Sequence, residues 1–578
     1  MEQFYTDERN VLILIALLKE HGIKKVVVSP GSTNVTFVAS IQQDSFFEIY
    51  SSVDERSAAY IACGLAAESG ESVALSCTGA TASRNYYPAL TEAFYRQLPI
   101  LAITSTQDES KIGHMIPQII DRTIQPIDAV KYSVHLQTIK DETDAWDCNV
   151  KVNKAILELT HHGKGPVHIN LTTTYSRNFM VREMSKERKI ERLMIYDKFP
   201  DIPNGKIVIY VGSHARMTET LIGSIDSFCE KHNAIVAVDP TSNYVGKYKV
   251  PYQLVAQQAI EDKNRNPDLL IHIGEMSDMA NIMGQPKSVW RVNEDGKIVD
   301  RFQTLHYVFE MPEYFFFEQY TKGFSSQQTT YYNNCMEKCN YFWNKIPELP
   351  FSHLWIASQL YKLLPVGSVL HLGILSPLRS WGYFPIPSNI EVYCNQGGFG
   401  IDGNMSSLLG ASFVHPKKLY FGVVGDLSFF YDMNVLGNRH VGKNIRILLV
   451  NNALGAEFHL FKQANLTCVN DISRFMSAGG HFGCKSPNVV KHLAEDWGYE
   501  YLTASSKETF EKVYQRFVTP ELTEKPMIFE IFTDVNNENE ALHQMYFIEK
   551  STKNKVRETI KNVIGEKGMK VIKKVTNR

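Results

Sequence analysis

The sequence predicts an α/β protein whose domains each contain a mainly parallel sheet flanked by helices. Two observations support this fold class. Short apolar runs such as Lys25–Val28 and Ile100–Ile103 alternate with segments of helical periodicity. These runs are apolar throughout, as in strands that are buried on both faces of a parallel sheet. At about 100 to 200 residues per domain, a chain of 578 residues has room for about three domains.

The first α/β region begins with a predicted helix over Glu8–His21 and continues with strands that are separated by turns and helices. Its predicted strands are Lys25–Val28, Val73–Ser76 and Ile100–Ile103, with turns at Ser29–Ser32 and Gly79 and a helix after Val53. Because helices connect successive strands, the strands should form βαβ units.

Two further α/β regions follow a charged stretch at residues 182–192. The first of them is indicated by the segments Lys206–Ser213, Ala234–Asp239 and Leu269–Gly274. The second has predicted strands at Ser368–Leu372, Leu419–Val424 and Ile445–Val450. The predicted domains are therefore residues 1–181, 195–345 and 350–548, followed by a lysine-rich C-terminal extension at 549–578.

Composition excludes several classes of function. A net charge of -2 and a pI near 6.8 provide no general attraction to nucleic acid or to an anionic membrane, so a small-molecule substrate is expected. No apolar run reaches the ~18 residues of a membrane span. The nine cysteines lack regular pairing and the N-terminus lacks a signal-peptide pattern, which favours the cytoplasm. The segment Val211–Arg216 lacks the glycine pattern of a dinucleotide site.

A predicted strand ends at Gly425-Asp426, which places an acid at the carboxyl edge of a parallel sheet. Gly425 allows a ligand to approach closely, and Asp426 supplies a hard oxygen ligand. About one βαβ spacing later, the next strand leads to Asn452, whose amide oxygen can join the same ion, with the Leu454 carbonyl as a third ligand. The pattern predicts a magnesium-diphosphate site.

Glu55 lies at the start of a mostly apolar helix after Val53. A first-turn glutamate can simply favour the helix dipole. Together with a magnesium-diphosphate site, it also fits a carboxyl group in a low-dielectric pocket that hydrogen-bonds a pyrimidine nitrogen of thiamine diphosphate. The sequence therefore predicts thiamine diphosphate and Mg²⁺ as cofactors.

These motifs resemble those of thiamine-diphosphate enzymes of the decarboxylase superfamily, and most closely the menaquinone-pathway 2-succinyl-5-enolpyruvyl-6-hydroxy-3-cyclohexene-1-carboxylate synthases. The matching stretches are Val28–Ser32, Val53–Ala59, Thr78–Ala82, Asn85–Ala89, Gly400–Gly403, Gly425–Ser428 and Asn451-Asn452. The resemblance implies a pyrimidine-binding, a central and a diphosphate-binding domain, with active sites at the interfaces of a homodimer or homotetramer. It implies catalytic roles for Glu55 and Gln118, and cofactor contacts at Glu55, Thr78, Gly79, Asn85, Ile401, Gly425, Asp426, Leu427 and Asn452.

The substrate residues depart from this family at several positions. Where the family has arginines, this chain has Thr33, Gln107 and Gln396. Arginines suit carboxylates because they bind them in bidentate fashion, so their loss indicates a changed acceptor. The candidate substrate residues are Ser32, Thr33, Gln107, Gln118, Ser376, Arg379 and Gln396, of which Arg379 is expected to bind the 2-oxoacid donor.

The leading hypothesis is a thiamine-diphosphate and Mg²⁺ dependent lyase or transferase. It would decarboxylate a 2-oxoacid and transfer the resulting enamine to an acceptor less anionic than isochorismate. Three alternatives remain: a simple decarboxylase that releases an aldehyde, a menaquinone-pathway synthase that uses 2-oxoglutarate and isochorismate, and a non-catalytic protein that binds the cofactor.

Overall fold

The structure is a computed structural model that describes residues 4–258, 260–323, 329–461 and 471–549. Residues 550–578 of the predicted basic extension lie outside this range. The chain divides into two compact units, of which the first contains residues 1–199 and 295–310 and the second contains 200–294 and 311–578. The three-domain boundaries drawn from the sequence stay a prediction.

The described strands are mostly short and are joined by helices. They are β1 Lys25–Val28, β2 Glu48–Ser51, β3 Val73–Cys77, β4 Ile100–Thr106, β5 Tyr132–Leu136, β6 Val167–Thr172, β7 Glu191–Leu193, β8 Ile207–Val211, β9 Ile235–Val238, β10 Lys249–Val250, β11 Leu269–Ile273, β12 Ser288–Val292, β13 Leu305–Phe309, β14 Val369–Leu372, β15 Glu391–Cys394, β16 Tyr420–Gly425, β17 Ile445–Asn451, β18 Glu500–Ala504 and β19 Met527–Phe532.

The helices vary from a single turn to almost five turns. They are α1 Arg9–Glu20, α2 Val35–Ile41, α3 Glu55–Ser69, α4 Thr81–Arg84, α5 Tyr87–Tyr95, α6 Glu142–Glu158, α7 Glu219–His232, α8 Gln253–Gln257, α9 Glu313–Thr321, α10 Thr330–Trp343, α11 His353–Leu360, α12 Ser376–Gly382, α13 Asn404–Val414, α14 Asp426–Asp432, α15 Ile472–Phe475, α16 Val489–Asp496, α17 Lys507–Glu511, α18 Tyr514–Phe517 and α19 Val535–Tyr546.

The first unit contains a six-stranded parallel sheet with the order β2-β1-β3-β4-β6-β5. Successive residues of β1 pack on opposite faces of this sheet. Val26 and Val28 join a core cluster with α1, α2 and α6, whereas Val27 joins a second cluster with α3 and α5. Because both faces are covered, most positions of the central strands β1, β3 and β4 are apolar, which is why these strands are recognisable in the sequence.

The second unit contains strands of two parallel sheets. In the first, the order within this unit is β10-β9-β8-β11-β12. The other is six-stranded with the order β15-β14-β16-β17-β19-β18. The prediction of an α/β protein with three mainly parallel sheets flanked by helices is confirmed.

Two further features of the described residues bear on the expectations from composition. None of the described helices is both long enough and apolar enough to span a membrane. The eight described cysteines are all free thiols, among them Cys335 and Cys339, which are buried on α10.

Candidate active site

The sequence-predicted residues of the first unit gather at one edge of its sheet. Ser32 and Thr33 follow β1, Glu55 follows β2, Gly79 follows β3 and Gln107 follows β4. These strands are parallel and adjacent, so their carboxyl ends lie together, where open α/β sheets bind ligands. This group is called the first half-site below.

Glu55 is the first residue of α3, and Asp54 fixes the start of this helix. The Asp54 carboxylate accepts hydrogen bonds from the backbone N–H of Ser57 at 3.1 Å and from its hydroxyl at 2.7 Å, as an N-cap does. Glu55 itself is half-buried, and its Oε2 accepts a long hydrogen bond of 3.4 Å from Asn85 Nδ2. Val53 beside it is 84% exposed. The first unit alone therefore does not form the low-dielectric pocket expected around Glu55.

Thr33 and Thr78 are joined inside the first half-site. Thr33 is 3% exposed, and its hydroxyl is hydrogen-bonded to the Thr78 hydroxyl and, at 3.1 Å, to the Ser105 carbonyl. A Cβ on Gly31 would lie 2.7 Å from Thr78 Cβ, so a glycine is needed for this packing. The Thr33 hydroxyl thus holds two strand ends together, and a substrate role for this residue stays a prediction.

The two predicted glutamines of the first half-site differ in their surroundings. Gln107 is half-buried, donates to the Tyr175 hydroxyl at 2.9 Å and accepts from Lys111 Nζ at 2.5 Å. Gln118 is exposed and has a positive φ of 66°. A bulky residue in this backbone region is uncommon, and such strain concentrates at functional loops.

Arg122 is a basic residue at this edge that the sequence analysis missed. Its Nη2 donates to Asn170 Oδ1 at 2.6 Å and to the Ser105 carbonyl at 3.3 Å, while Nη1 has no hydrogen-bond partner among the described residues. Burial lowers the pKa of Arg122 to about 10. No periodicity marks an isolated arginine in a polar loop, so only the structure reveals its position beside the half-site.

The second half-site forms at the carboxyl edge of the last sheet, where β16 leads into α14. Asp426 is 6% exposed, and one of its carboxylate oxygens accepts a hydrogen bond from the Leu427 N–H at 2.9 Å. Burial raises the pKa of Asp426 to about 7, and the acid Glu530 nearby adds to this shift. A buried acid beside another acid is the electrostatic setting in which a bound divalent cation replaces the proton.

The two asparagines at the end of β17 differ in how accessible their side chains are. Asn451 is buried, donates to Glu530 Oε1 at 2.8 Å and accepts from the Ala453 N–H at 3.0 Å. Asn452 is half-buried, and among the described residues its Oδ1 accepts one long hydrogen bond, of 3.4 Å, from the Leu454 N–H. The amide oxygen of Asn452 is therefore the more available of the two for a cation, and the half-buried Leu454 follows it.

Ile401 is held in place by two hydrogen bonds to its carbonyl. Ser428 Oγ donates to this oxygen at 2.6 Å and Asn404 Nδ2 donates at 2.9 Å. Asn404 also donates to Ser428 Oγ at 2.8 Å, so the Ile401 turn is tied to α14. Hydrogen bonds thus fix this isoleucine relative to the helix that begins at Asp426.

The second half-site fits a magnesium ion with a diphosphate. An added Cβ on Gly425 would meet no atom within 4 Å, so the space beside this residue is open to a ligand. Asp426, Asn452 and the Leu454 carbonyl would offer the hard oxygen ligands that Mg²⁺ requires, and phosphate oxygens would supply the remaining ones. Leu427 is half-buried next to this space.

The donor and acceptor residues predicted in the second unit are engaged within the chain. Arg379 Nη2 donates to both carboxylate oxygens of Glu457, at 2.9 and 2.7 Å, and Ser376 is half-buried at the start of α12. Gln396 is 2% exposed, donates to Thr241 Oγ1 at 2.9 Å and accepts from the Asp278 N–H at 2.7 Å. A donor carboxylate at Arg379 would have to share the guanidinium with Glu457.

Comparisons with known proteins identify relatives over almost the full length. The model of the family "Thiamine pyrophosphate enzyme, N-terminal TPP binding domain" matches residues 11–125. Three similar proteins are named 2-succinyl-5-enolpyruvyl-6-hydroxy-3-cyclohexene-1-carboxylate synthase. Those of Phocaeicola vulgatus and Bacteroides thetaiotaomicron are 32% and 34% identical, over 94% of this chain and 98% and 99% of theirs. That of Flavobacterium psychrophilum is 28% identical over 90% of this chain and 95% of its own.

Proposed function

Since the chain belongs to the 2-succinyl-5-enolpyruvyl-6-hydroxy-3-cyclohexene-1-carboxylate synthase family of thiamine-diphosphate-dependent enzymes, we propose that it joins a decarboxylated 2-oxoacid to an acceptor through a new C–C bond. Its cofactors are thiamine diphosphate and a divalent metal ion. The first candidate reaction is the synthase alternative, with 2-oxoglutarate as donor and isochorismate as acceptor. The observation that carries it is the similarity across both half-sites to proteins named for this product.

The cofactor supplies an electron sink for loss of carbon dioxide, and the chain supplies binding and orientation. In this proposal Asp426, Asn452 and the Leu454 carbonyl hold the metal ion. Glu55 would hydrogen-bond the pyrimidine ring, and Ile401 would contact the bound cofactor. Gln118, which has a positive φ of 66°, would act near the reaction centre.

The first unit also contains a positively charged side chain that is suited to an anionic acceptor. Arg122 Nη1 is buried and without a partner among the described residues, close to Gly79 and Ser105. A guanidinium with an unused N–H is suited to a carboxylate. This arrangement supports isochorismate, although Thr33 and Gln107 stand where the family has arginines.

A second candidate is the same chemistry with a less anionic acceptor. The specific observation that favours it is the use of Thr33 and Gln396, both buried, for hydrogen bonds within their own units. Neither residue can replace the charge of a guanidinium. Arg379 would then bind the donor acid only, and Glu457 would give up one of its hydrogen bonds with Arg379.

One assay separates the two candidates. The enzyme with thiamine diphosphate and Mg²⁺ is given 2-oxoglutarate with and without isochorismate, and carbon dioxide and organic products are measured. The first candidate predicts that isochorismate is consumed in a 1:1 ratio to carbon dioxide. Carbon dioxide release with isochorismate untouched would refute it and support the changed acceptor or the simple decarboxylase.

A matched variant tests whether the reaction depends on the proposed metal site. Asp426→Ala should abolish Mg²⁺-dependent cofactor binding, whereas Asp496→Ala, at an exposed acid at the end of α16 in the same unit, should bind the cofactor nearly as the wild type does. Equal loss in both variants would point to a general disturbance of the domain and would contradict the assignment of Asp426.

We further propose that the functional protein is a homodimer or a homotetramer in which Glu55 of one subunit acts with Asp426 of another. The half exposure of Glu55 supports this assembly, because a second subunit would supply the cover that the first unit does not. The exposed apolar side chains near the half-site, among them Val53 and Tyr60, agree with such a contact.

A further inference from the structure

A group of metal-ligating side chains lies in the first unit, outside the residues assigned to either half-site. His161 and His162 follow α6, and Glu310 follows β13. One ligand atom from each of these three residues lies within 4.8 Å of the others. His161 Nε2 is 2.9 Å from Glu310 Oε2, and His162 Nε2 is 2.5 Å from Glu310 Oε1. Both imidazole rings thus face the carboxylate of Glu310.

A second layer of contacts orients His161. Its Nδ1 lies 3.2 Å from Glu158 Oε2, and the other oxygen of Glu158 accepts a hydrogen bond of 3.0 Å from Arg192 Nη2. With Nδ1–H donating to Glu158, a neutral His161 presents the lone pair of Nε2 towards Glu310. A carboxylate behind one ring nitrogen is the support that metal-binding histidines usually have.

Each imidazole nitrogen and the carboxylate oxygen it faces need a proton or a metal ion between them, because a nitrogen lone pair and a carboxylate at 2.9 Å repel. His161 and His162 face different oxygens of Glu310, so a proton on Nε2 of each ring would satisfy the two contacts separately. A metal ion would instead satisfy all three residues together, and their ligand atoms lie within 4.8 Å of one another.

Neighbouring residues fix the positions of these three side chains. Lys131 Nζ donates to the carbonyls of His161 at 2.6 Å and Gly163 at 2.5 Å, which fixes the turn that carries both histidines. An added Cβ on Gly296 would lie 2.2 Å from Glu310 Oε2, so this glycine leaves room for the carboxylate. The Glu310 side chain is 6% exposed, whereas that of His162 is 67% exposed. The site is therefore anchored on the inside and open on one side.

We propose that His161, His162 and Glu310 bind a divalent transition-metal ion of the zinc class, with solvent in the fourth position. Imidazole nitrogen suits Zn²⁺ better than Mg²⁺, and two histidines with one carboxylate form a known zinc ligand set. Ligand bonds of about 2.0 to 2.2 Å in a tetrahedron place the ligand atoms about 3.4 Å apart, so each imidazole nitrogen would have to move away from Glu310 by less than about 1 Å. The exposed His162 can make this adjustment. The ion would link the end of α6 to the end of β13.

The test uses the holoenzyme with saturating thiamine diphosphate and Mg²⁺, so that the proposed magnesium site is filled. Zn²⁺ is then titrated by calorimetry, and the metal content is measured after dialysis. We expect one tightly bound Zn²⁺ per chain in the wild type. His162→Ala should weaken this binding at least tenfold, and Glu158→Gln should weaken it by about 10- to 100-fold through the loss of orientation.

His492→Ala, at an exposed histidine on α16, is the matched control and should bind Zn²⁺ as the wild type does. Because His162 is exposed, its replacement should not prevent folding. Co²⁺ gives an independent readout, since a tetrahedral site with nitrogen ligands produces visible absorption bands that should disappear in His162→Ala. Absence of saturable Zn²⁺ binding, or equal binding by His162→Ala and the wild type, would overturn the proposal and leave a protonated histidine as the link.

Discussion

Glu55 begins α3 and is half-buried. Among the described residues, the Asn85 amide donates a hydrogen bond to its carboxylate, at 3.4 Å. A carboxyl group that hydrogen-bonds a ring nitrogen works best in a drier environment. The proposed role of Glu55 therefore depends on a cover that its own unit does not provide.

Replacement of Glu55 by glutamine tests this role, because it changes a single side-chain atom from oxygen to nitrogen. Glu55→Gln keeps the size of the side chain and removes its ability to exchange a proton with the cofactor ring. We expect the cofactor-dependent rate of carbon dioxide release from the donor acid to fall by about 100-fold or more, with the cofactor still bound.

The matched control is Glu68→Gln, which changes an exposed glutamate on the same helix. It should leave the rate within about twofold of the wild type, as expected for a surface change. A Glu55→Gln enzyme with the wild-type rate would rule out the proposed acid and would favour the non-catalytic alternative.

Single residues show what the sequence could and could not predict about the site. Asp426 was predictable because an apolar strand ends directly before it, and a strand end has a known place in a parallel sheet. Thr33 was not, since its partners Thr78 and Ser105 lie 45 and 72 residues away and only the folded sheet brings them together. The burial of Gln396 against Thr241 escaped prediction for the same reason.

At the scale of elements, the predicted strands are buried along most of their length, but two other buried strands, β6 and β19, were not predicted. β1, β3, β4, β16 and β17 are apolar along most of their length, and their predicted bounds agree with the structure to within three residues. The strands not predicted include β5 and β18, which lie at sheet edges and have half-exposed positions. An edge strand does not need a continuous apolar run, so its sequence resembles that of a loop.

The turn between β16 and α14 gives a prediction about cofactor binding. Gly425 has a φ of -81° and a ψ of 167°, a conformation open to any residue, and an added Cβ would meet no atom of the described residues within 4 Å. Gly425→Ala should therefore fold normally but place a methyl group where a phosphate approaches. We expect the cofactor dissociation constant to rise about tenfold or more, which corresponds to about 1.4 kcal/mol.

Gly410→Ala is the control for this turn, because Gly410 lies in α13 and an added Cβ there also meets no atom within 4 Å. It should raise the melting temperature slightly, as alanine favours a helix over glycine, and leave cofactor affinity unchanged. Unchanged affinity in Gly425→Ala, measured by calorimetry with Mg²⁺, would contradict the placement of the diphosphate beside this turn.

The contact between α11 and α19 gives a prediction about pH. Glu538 on α19 is buried, and its carboxylate accepts hydrogen bonds from the His353 N–H at 3.0 and 3.1 Å and from the Thr533 hydroxyl at 2.8 Å. Burial raises the pKa of Glu538 from 4.5 to about 7. The folded state thus binds a proton that the unfolded state releases, and the contribution of this group to stability is lost as pH rises from about 4.5 to about 7.

Glu538→Gln removes this ionisation while it keeps an oxygen acceptor. Relative to the wild type, the variant should gain thermal stability between pH 5 and pH 8, by up to about 3 kcal/mol in free energy. Melting temperatures at the two pH values measure the effect. Glu540→Gln, at an exposed position on the same helix, should show no such pH dependence. A stability difference that is equal at both pH values would disprove the raised pKa.

At the scale of the whole molecule, the sequence predicted the fold class and the cofactor better than the substrates. Cofactor recognition depends on short motifs at strand ends, such as Gly425-Asp426, which can be read locally. Acceptor recognition depends on charges that come from distant segments, of which Arg122 is an example. The missing arginines predicted a changed acceptor, whereas the relatives favour the synthase reaction.

The proposed assembly makes a prediction that no single variant can test. Glu55 and Asp426 belong to different compact units of the chain. If each active site combines Glu55 of one subunit with Asp426 of another, a mixed dimer of Glu55→Gln and Asp426→Ala subunits contains one doubly altered site and one unaltered site. Random pairing makes half of the dimers mixed, so co-expression should restore about a quarter of the wild-type activity.

The control is co-expression of two differently tagged copies of Glu55→Gln, which should stay inactive. If Glu55 and Asp426 act within one subunit, each site in a mixed dimer carries one alteration, and activity should remain at the level of the separate variants. Purification through both tags isolates the mixed dimers, in which restored activity should reach about half that of the wild type. Mixed dimers that form but stay inactive would therefore refute the shared active site. Residues of the same chain would then have to cover Glu55.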